Sequence, residues 1–451
     1  MRQMTFEEVP EREDRAGGSQ DSLGDERAPV ASGPASPGGD DLMARVLERS
    51  NLQIALKRVE ANRGSAGVDG MTTRELRPWL KENWPTIRAA LESETYEPQP
   101  VRWHAIPKDG GGERELGIPT VLDRLVQQAL LQVLQAQLDP SFSDYSFGFR
   151  PGRSAHDAVK TAQRYIQDGR HIVVDVDLER FFDRVNHDVL MDRLAKRISD
   201  KRVLRLIRRY LNAGILKHGV TLEREEGTPQ GGPLSPLLAN VLLDEVDKEL
   251  EQRGHAFVRY ADDCNVYVRS QRAGERVMEQ LKKLYAKLRL KVNDSKSAVG
   301  PATSRKFLGF SFWIDREGQV KRRVAKKALD KLKRQVKEKT RRNAGRSMQM
   351  VIEDLSKYLA GWKAYFGVAE ALRDFERIDQ WIRHRLRTVQ LKQWKRGRTA
   401  FRDLRRLGCS VEAARVGAGH HGRWWHAACH GLHRALPNSH FARLGLLSLR
   451  T

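Results

Sequence analysis

Cysteine is nearly missing from this chain: Cys264, Cys409 and Cys429 are the only three in 451 residues, and none forms a Cys-x-x-Cys pair. That scarcity excludes a disulfide framework and a cysteine-rich zinc module, and it points to a reducing compartment. No apolar run approaches the roughly 18 residues of a membrane span, and the opening MRQMTFEEVPERED lacks the apolar core of a signal peptide. The expectation is a soluble, intracellular protein with no membrane partner. Internal repeats are absent as well. Acidic side chains are in deficit, 58 Asp and Glu against 81 Lys and Arg, for a formal net charge of +23. Such an excess predicts a polyanionic partner, with nucleic acid the leading candidate.

The charge is unevenly placed. Residues 1–41 hold ten acids against four Arg, with Gly, Ser and Pro clustered in GGSQDSLGDERAPVASGPASPGGDD, a composition expected to form a disordered acidic tail. The remaining chain is therefore more basic than the total suggests. From Asp41, DLMARVLERSNLQIALKRVEANRG has apolar residues at helical spacing and predicts one helix stopping at Gly64. VRWHAIPKDGGGERELGIP (101–119) reads as a hairpin with a Gly-rich tip, and residues 120–138 as an apolar helix capped by Thr120. HIVVDVDLERFF reads as a buried strand entering a helix, and GTPQGGPLSPLLANVLLDEVDKELEQRG as a turn before a long helix. Alternating strands and helices continue to about residue 315, which makes this part α+β. Beyond FLGFSFWI, residues 321–350 contain 13 Lys or Arg, with Asp330 and Glu338 the only acids. This predicts a separate basic helical module in which Val324, Leu329, Leu332 and Val336 form the apolar stripe. Its basic face is either a solvated surface or a groove for a nucleic-acid backbone. Residues 354–394 are helical and aromatic, with Tyr358, Trp362, Tyr365, Phe366, Trp381 and Trp394.

Against this positive background, FVRYADDCNVYVR (257–269) sets Asp262 and Asp263 side by side between two alternating runs. Neighbouring carboxylates repel, and each prefers water or a cation to the other. Taken alone, an acidic hairpin tip is commonly no more than polar. In HIVVDVDLERFFD, however, Asp175 and Asp177 interrupt a β-branched run, where a carboxylate needs a charged partner. A divalent cation shared by Asp177, Asp262 and Asp263 would satisfy all three. Three carboxylates holding two such ions suit in-line nucleotidyl transfer.

These stretches resemble the polymerase motifs of reverse transcriptases: Tyr260-Ala261-Asp262-Asp263, the Asp177 strand with Phe181-Phe182-Asp183, and Gly227-Thr228-Pro229-Gln230-Gly231-Gly232. More narrowly, the chain resembles bacterial group II intron reverse transcriptases with maturase activity. That likeness extends through NRGSAGVDGMT, IPKDGGGERELGIPTVLDRLVQQAL, SFGFRPGRSAHDAV, LKVNDSKS, FLGF and YLAGWKAYFG, from about residue 42 onward. The resemblance implies a right-hand polymerase. Its parts would be an N-terminal extension of the fingers (42–100), fingers and palm (101–318), an α-helical thumb that binds intron RNA as a maturase (319–395), and a small basic DNA-binding region (396–451). It further implies that Asp177, Asp262 and Asp263 are the ligands of two Mg²⁺ ions, that Phe182 crowds the sugar 2′ position, and that Lys108 and Arg114 hold the triphosphate. Gln230 would touch the incoming nucleotide and Lys296 would stand near the active site. Asp175 and Asp183 are read as supporting residues. Implied partners are group II intron RNA, an RNA template, a DNA primer or target, and dNTPs. Monomer and dimer are not distinguished.

The C-terminal stretch includes His420, His421, His426, Cys429, His430, His433 and His440 without the Cys pairs of a structural zinc finger. Paired cysteines of a His-Asn-His nuclease are likewise not found, which resembles the group IIC branch. Two alternatives stay open: a maturase that assists splicing without polymerase activity, and a reverse transcriptase serving another retroelement or a CRISPR-linked system.

Overall fold

The computed structural model describes residues 41–107, 112–217, 219–419, 425 and 432–450. The acidic tail up to Asp40, Lys108 at the hairpin tip, and His420, His421, His426, Cys429 and His430 lie outside the described residues, so the tail, the Lys108 role and the zinc question fall there.

Helix formation begins at Asp41, whose carboxylate accepts the Ala44 N–H (2.8 Å) and caps α1 (Leu42–Val46). The single helix expected up to Gly64 is instead two. Glu48 turns extended and α2 (Arg49–Ala61) starts anew, while the Asn51 amide takes the Val46 carbonyl left without a helical partner (2.9 Å). The break lets Leu42, Met43, Val46 and Leu47 all be buried. Gly64 is not the stop either, because Arg63 adopts the left-handed conformation (φ 43°) that ends α2. A Cβ on Gly64 would run into the Arg124 guanidinium, so packing explains that glycine.

The first unit continues through α3 (Thr73–Glu92), β1 (Val101–Pro107), β2 (Glu113–Ile118), α4 (Val121–Leu138), α5 (Ala155–Gln167), β3 (Ile172–Val176), α6 (His187–Ala195) and α7 (Lys201–Asn212). It is completed by β4 (Ile215–Lys217), β5 (Val220–Leu222), α8 (Ser235–Gln252), β6 (Ala256–Tyr260), β7 (Asp263–Val268), α9 (Gln271–Lys287) and β8 (Ala298–Pro301). Two four-stranded sheets result, ordered β2-β1-β4-β5 and β6-β7-β3-β8. One hydrophobic core joins α4 and α8 to the second sheet. Both helices are apolar on nearly every face, as a helix enclosed within a domain requires. Thr120 caps α4 by accepting the Asp123 N–H (3.0 Å), as expected.

A second compact unit runs from Pro301. Its three-stranded sheet, β9 (Lys306–Phe307), β10 (Phe310–Ile314) and β11 (Val320–Val324), lies on the far side of that division, whereas the sequence placed the boundary at residue 318. The helices α10 (Lys326–Lys339), α11 (Met348–Phe366) and α12 (Leu372–Gln393) follow. The sheet joins them through Phe310, whose ring meets Tyr365 and Phe366 at 5.7 and 5.2 Å, and through a Tyr365 hydroxyl donating to the Leu308 carbonyl (3.0 Å). Trp362 stacks on Phe366 and Phe375, so the YLAGWKAYFG aromatics form the interior of this unit. Short helices follow, α13 (Gly397–Arg406) and α14 (Val411–Gly419). No helix among the described residues is long and apolar enough to cross a membrane.

Candidate active site

The run Ile172–Val176 forms β3 because β-branched residues suit a pleated strand buried on both faces. It pairs antiparallel with β7, Asp175 opposite Asn265 and Val176 opposite Cys264. The next residues along the two chains from this last pair are Asp177 and Asp263. β6 and β7 form a hairpin in which Tyr260 pairs with Asp263, leaving Ala261 and Asp262 as a two-residue turn. Ala261 lies in the left-handed region (φ 56°), a strained state for a residue with a Cβ. The fold thus brings Asp177, Asp262 and Asp263 to one end of the sheet.

Burial pushes the half-buried Asp262 carboxyl above its usual range, and the Asp177 charge pushes the same way; Arg114 on β2 opposes both more weakly. Lys296 reaches Asp177 Oδ1 with Nζ at 3.5 Å. The backbone of Asp177 is held as well, its N–H donating to Ser297 Oγ (3.0 Å) and its carbonyl accepting from Asn293 (2.8 Å). Asp175, on the same strand face, is bound differently: with its amide nitrogen turned toward it, Asn265 donates to Asp175 Oδ1 (3.0 Å). Asp183 is near enough to the mostly buried Arg224 to attract it. Among the described residues no three acidic, His or Cys side chains close around a point tightly enough to enclose an ion by themselves.

Phe182 stands in a 3₁₀ turn, half-buried, its ring edge-on to the buried Phe181 at 5.1 Å. Its carbonyl accepts the Thr228 N–H (2.7 Å), which ties this turn to GTPQGG. Gly227 there has φ 90°, and a Cβ on it would press on the Asp183 and Phe182 carbonyls. His187 secures the same glycine, its Nε2 2.8 Å from the Gly227 carbonyl. Gln230 joins the turn to β2, its carbonyl accepting the Gly117 N–H (3.0 Å). Arg114 is exposed on β2.

Two family models match the chain: "Reverse transcriptase (RNA-dependent DNA polymerase)" over residues 106–312 and "Group II intron, maturase-specific domain" over residues 329–408. The chain thus carries a reverse transcriptase domain followed by a group II intron maturase-specific domain. Protein YkfC of Escherichia coli K12 is 40% identical over 192 residues, 42% of this chain and 50% of that protein. Group II intron-encoded protein LtrA of Lactococcus lactis subsp. cremoris is 29% identical over 356 residues, 63% of this chain and 59% of that one. An uncharacterized 91 kDa protein in the cob intron of Schizosaccharomyces pombe is 36% identical over 211 residues, 46% of this chain and 25% of that protein. The chain thus spans between half and three fifths of the first two relatives.

Some residues of the reverse transcriptase domain carry no sign of their task in the sequence. Ser297 and Asn265 hold Asp177 and Asp175, yet a single Ser or Asn has no pattern to announce that role. The fully buried Arg259 is hidden for the opposite reason, since one Arg among many basic residues has no distinguishing spacing. Its signal is context: it occupies an inward position of a strand that is otherwise apolar.

Proposed function

We propose that this chain is an RNA-directed DNA polymerase that binds the RNA of its own group II intron, assists its splicing and copies it into DNA. The observation that supports this most strongly is the meeting of Asp177 with the Asp262–Asp263 turn at one end of the β6-β7-β3-β8 sheet, where burial and the Asp177 charge both push the Asp262 carboxyl up.

In this reading Asp177, Asp262 and Asp263 hold two Mg²⁺ ions. When bound, these supply activation of the primer 3′-hydroxyl and neutralisation of the leaving phosphates. Arg114, with Lys108 beyond the described part of the same hairpin, draws in the dNTP triphosphate, and Lys296 adds a cation beside Asp177. Gln230 lines the nucleotide, and the Phe182 ring, steadied by Phe181 and by the Thr228 hydrogen bond, excludes a 2′-hydroxyl. Intron RNA is bound through the basic second unit. The contrast between two basic helices supports this: Arg205, Arg208 and Arg209 on α7 pair with Glu94, Asp188 and Glu97, whereas Lys326, Lys327, Lys333 and Lys337 on α10 are exposed. Splicing itself needs no protein chemistry, because binding that stabilises the folded RNA suffices.

The deciding experiment is Mg²⁺-dependent primer extension on an RNA template with wild type and Asp262→Asn. Extension by wild type alone is expected. Tight binding of structured RNA with no extension by either protein would reduce the function to splicing assistance.

A further inference from the structure

Arg259 is completely buried, and its guanidinium is surrounded by acceptors from α8 and from the β6–β7 turn. Its Nε donates to Asp247 Oδ1 and Oδ2 (2.8 and 2.9 Å) and its Nη2 to Asp247 Oδ2 (2.5 Å). Its Nη1 donates to Asn240 Oδ1 and to the Ala261 carbonyl, both at 2.9 Å. Asn240 and Asp247 are seven residues apart on α8, two helical turns, and so face β6 together. The Asn240 amide in turn donates to the Gly148 carbonyl (2.9 Å). The SFGFRPG segment runs beside β6, with Arg259 N–H bonded to the Tyr145 carbonyl and Phe147 N–H to the Arg259 carbonyl, each 2.9 Å. At Gly148 a Cβ would collide with the Ala261 nitrogen. Ala261 is therefore gripped at its carbonyl by a guanidinium and closed in at its nitrogen by a bare glycine.

We infer that Arg259 is a positioning residue for nucleotidyl transfer, fixing the Ala261–Asp262 peptide so that the Asp262 carboxylate is aimed before metal and substrate arrive. The inference rests on Asp262 being a metal ligand of the polymerase. A buried ion pair alone is a weak source of stability, because desolvation offsets most of the attraction. The bond from Arg259 to Ala261 is what a purely structural pair with Asp247 does not require. It also opposes the strain of a left-handed Ala261, which a free turn would relax. Preorganisation of this kind matters because a small misplacement of a ligating group costs rate far more than it costs binding.

Arg259→Lys tests it in the full chain. Lysine keeps the charge beside Asp247 but has no planar fork to serve Asp247, Asn240 and Ala261 at once. The expected result is a folded protein whose maximal extension rate falls at least tenfold and whose Mg²⁺ midpoint rises severalfold, while template–primer affinity and the KM for dNTP stay within twofold. A merely structural arginine would lower the melting temperature and leave the Mg²⁺ midpoint of the folded fraction unchanged, and that result would overturn the inference. If Arg259→Lys does not fold, Gly148→Ala decides, since it presses on the other side of Ala261, at the Tyr260–Ala261 peptide, without stranding a buried charge; wild-type rate and Mg²⁺ midpoint there would overturn it equally. A wild type unable to extend a primer would remove the polymerase reading and this inference with it, an outcome distinct from unaltered variants of an active enzyme.

Discussion

Lys296 Nζ lies 3.5 Å from Asp177 Oδ1, and the lysine side chain is 65% exposed. An exposed pair of this length contributes at most about 1 kcal/mol to stability. Lys296→Met is therefore expected to leave the melting temperature nearly unchanged while raising the KM for dNTP by about three- to tenfold, the weight of one charge-assisted hydrogen bond to phosphate. Single-nucleotide extension at varied dNTP measures it. An unchanged KM would make the lysine a bystander to Asp177.

Asp262→Asn should abolish extension and leave RNA binding intact, as gel shift with intron RNA would show. It should also stabilise the metal-free protein. The folded Asp262 carboxyl is raised above its ordinary value of 3.8, so ionising it at neutral pH works against folding. Removing the charge should raise the melting temperature at pH 7 by a few degrees, on the order of 1 kcal/mol. That advantage should vanish as the pH falls toward 3.8 and the wild-type carboxyl is protonated in both states. Calorimetry in EDTA at pH 7 and pH 4 gives the comparison.

Phe182 stands half-exposed against Phe181, so Phe182→Ala should cost about 2 kcal/mol, less than the 3–5 kcal/mol of a fully enclosed ring. Its larger effect should be on sugar choice. The ratio of kcat/KM for rNTP to that for dNTP is expected to rise at least tenfold; an unaltered ratio would return Phe182 to a packing role.

His187 bonds the Gly227 carbonyl from a buried position, and burial lowers its pKa below 6.5. The unfolded chain therefore binds the proton first, and stability is lost as the pH falls below 6.5. His187→Gln, which can keep a donor there but cannot titrate, should show a smaller drop in melting temperature between about pH 7.5 and pH 5.5 than wild type. Equal drops would mean that other groups carry the acid sensitivity.

Replacing Lys326, Lys327, Lys333 and Lys337 by Gln should weaken binding of intron RNA and flatten its dependence on salt, by about 0.7–0.9 in log–log slope for each phosphate no longer neutralised. Filter binding across a salt series tests this. A line that coincides with that of wild type would leave the α10 charges as a solvated face.

The strands that carry the candidate site were legible because each advertises itself twice. β3 is a β-branched run broken by acids, and the β6–β7 hairpin is two alternating runs around an acidic turn. The cap at Thr120 was likewise visible, whereas the capping box of Ser154 with Asp157 emerged with the structure. What could not be read were competitions settled by distant residues. Continuous helical spacing from Leu42 to Asn62 conceals the break at Glu48, because the Asn51 amide that satisfies Val46 also bonds Ala129, far along the chain. The unit boundary hid for a similar reason, since contacts such as the packing of Phe310 on α11 and the Tyr365 bond to Leu308 assign the last strands to the helical part. Charge was the least legible property: α7 and α10 are both strongly basic, yet Arg205 and Arg208 have acids folded against them while Lys326, Lys327, Lys333 and Lys337 are exposed.

The two-residue turn at Ala261 and Asp262 also sets a rule for how such chains can diverge. Side chains alternate along β7, so one residue gained or lost at the turn would rotate Asp263 to the opposite face and draw Asp262 away from Asp177 together. Substitution around this hairpin is graded in its effects, but a change of length there is all or nothing. Insertions and deletions that separate this lineage from its relatives should therefore accumulate at other loops and spare the interval from Ala256 to Val268, however far the amino-acid identities drift.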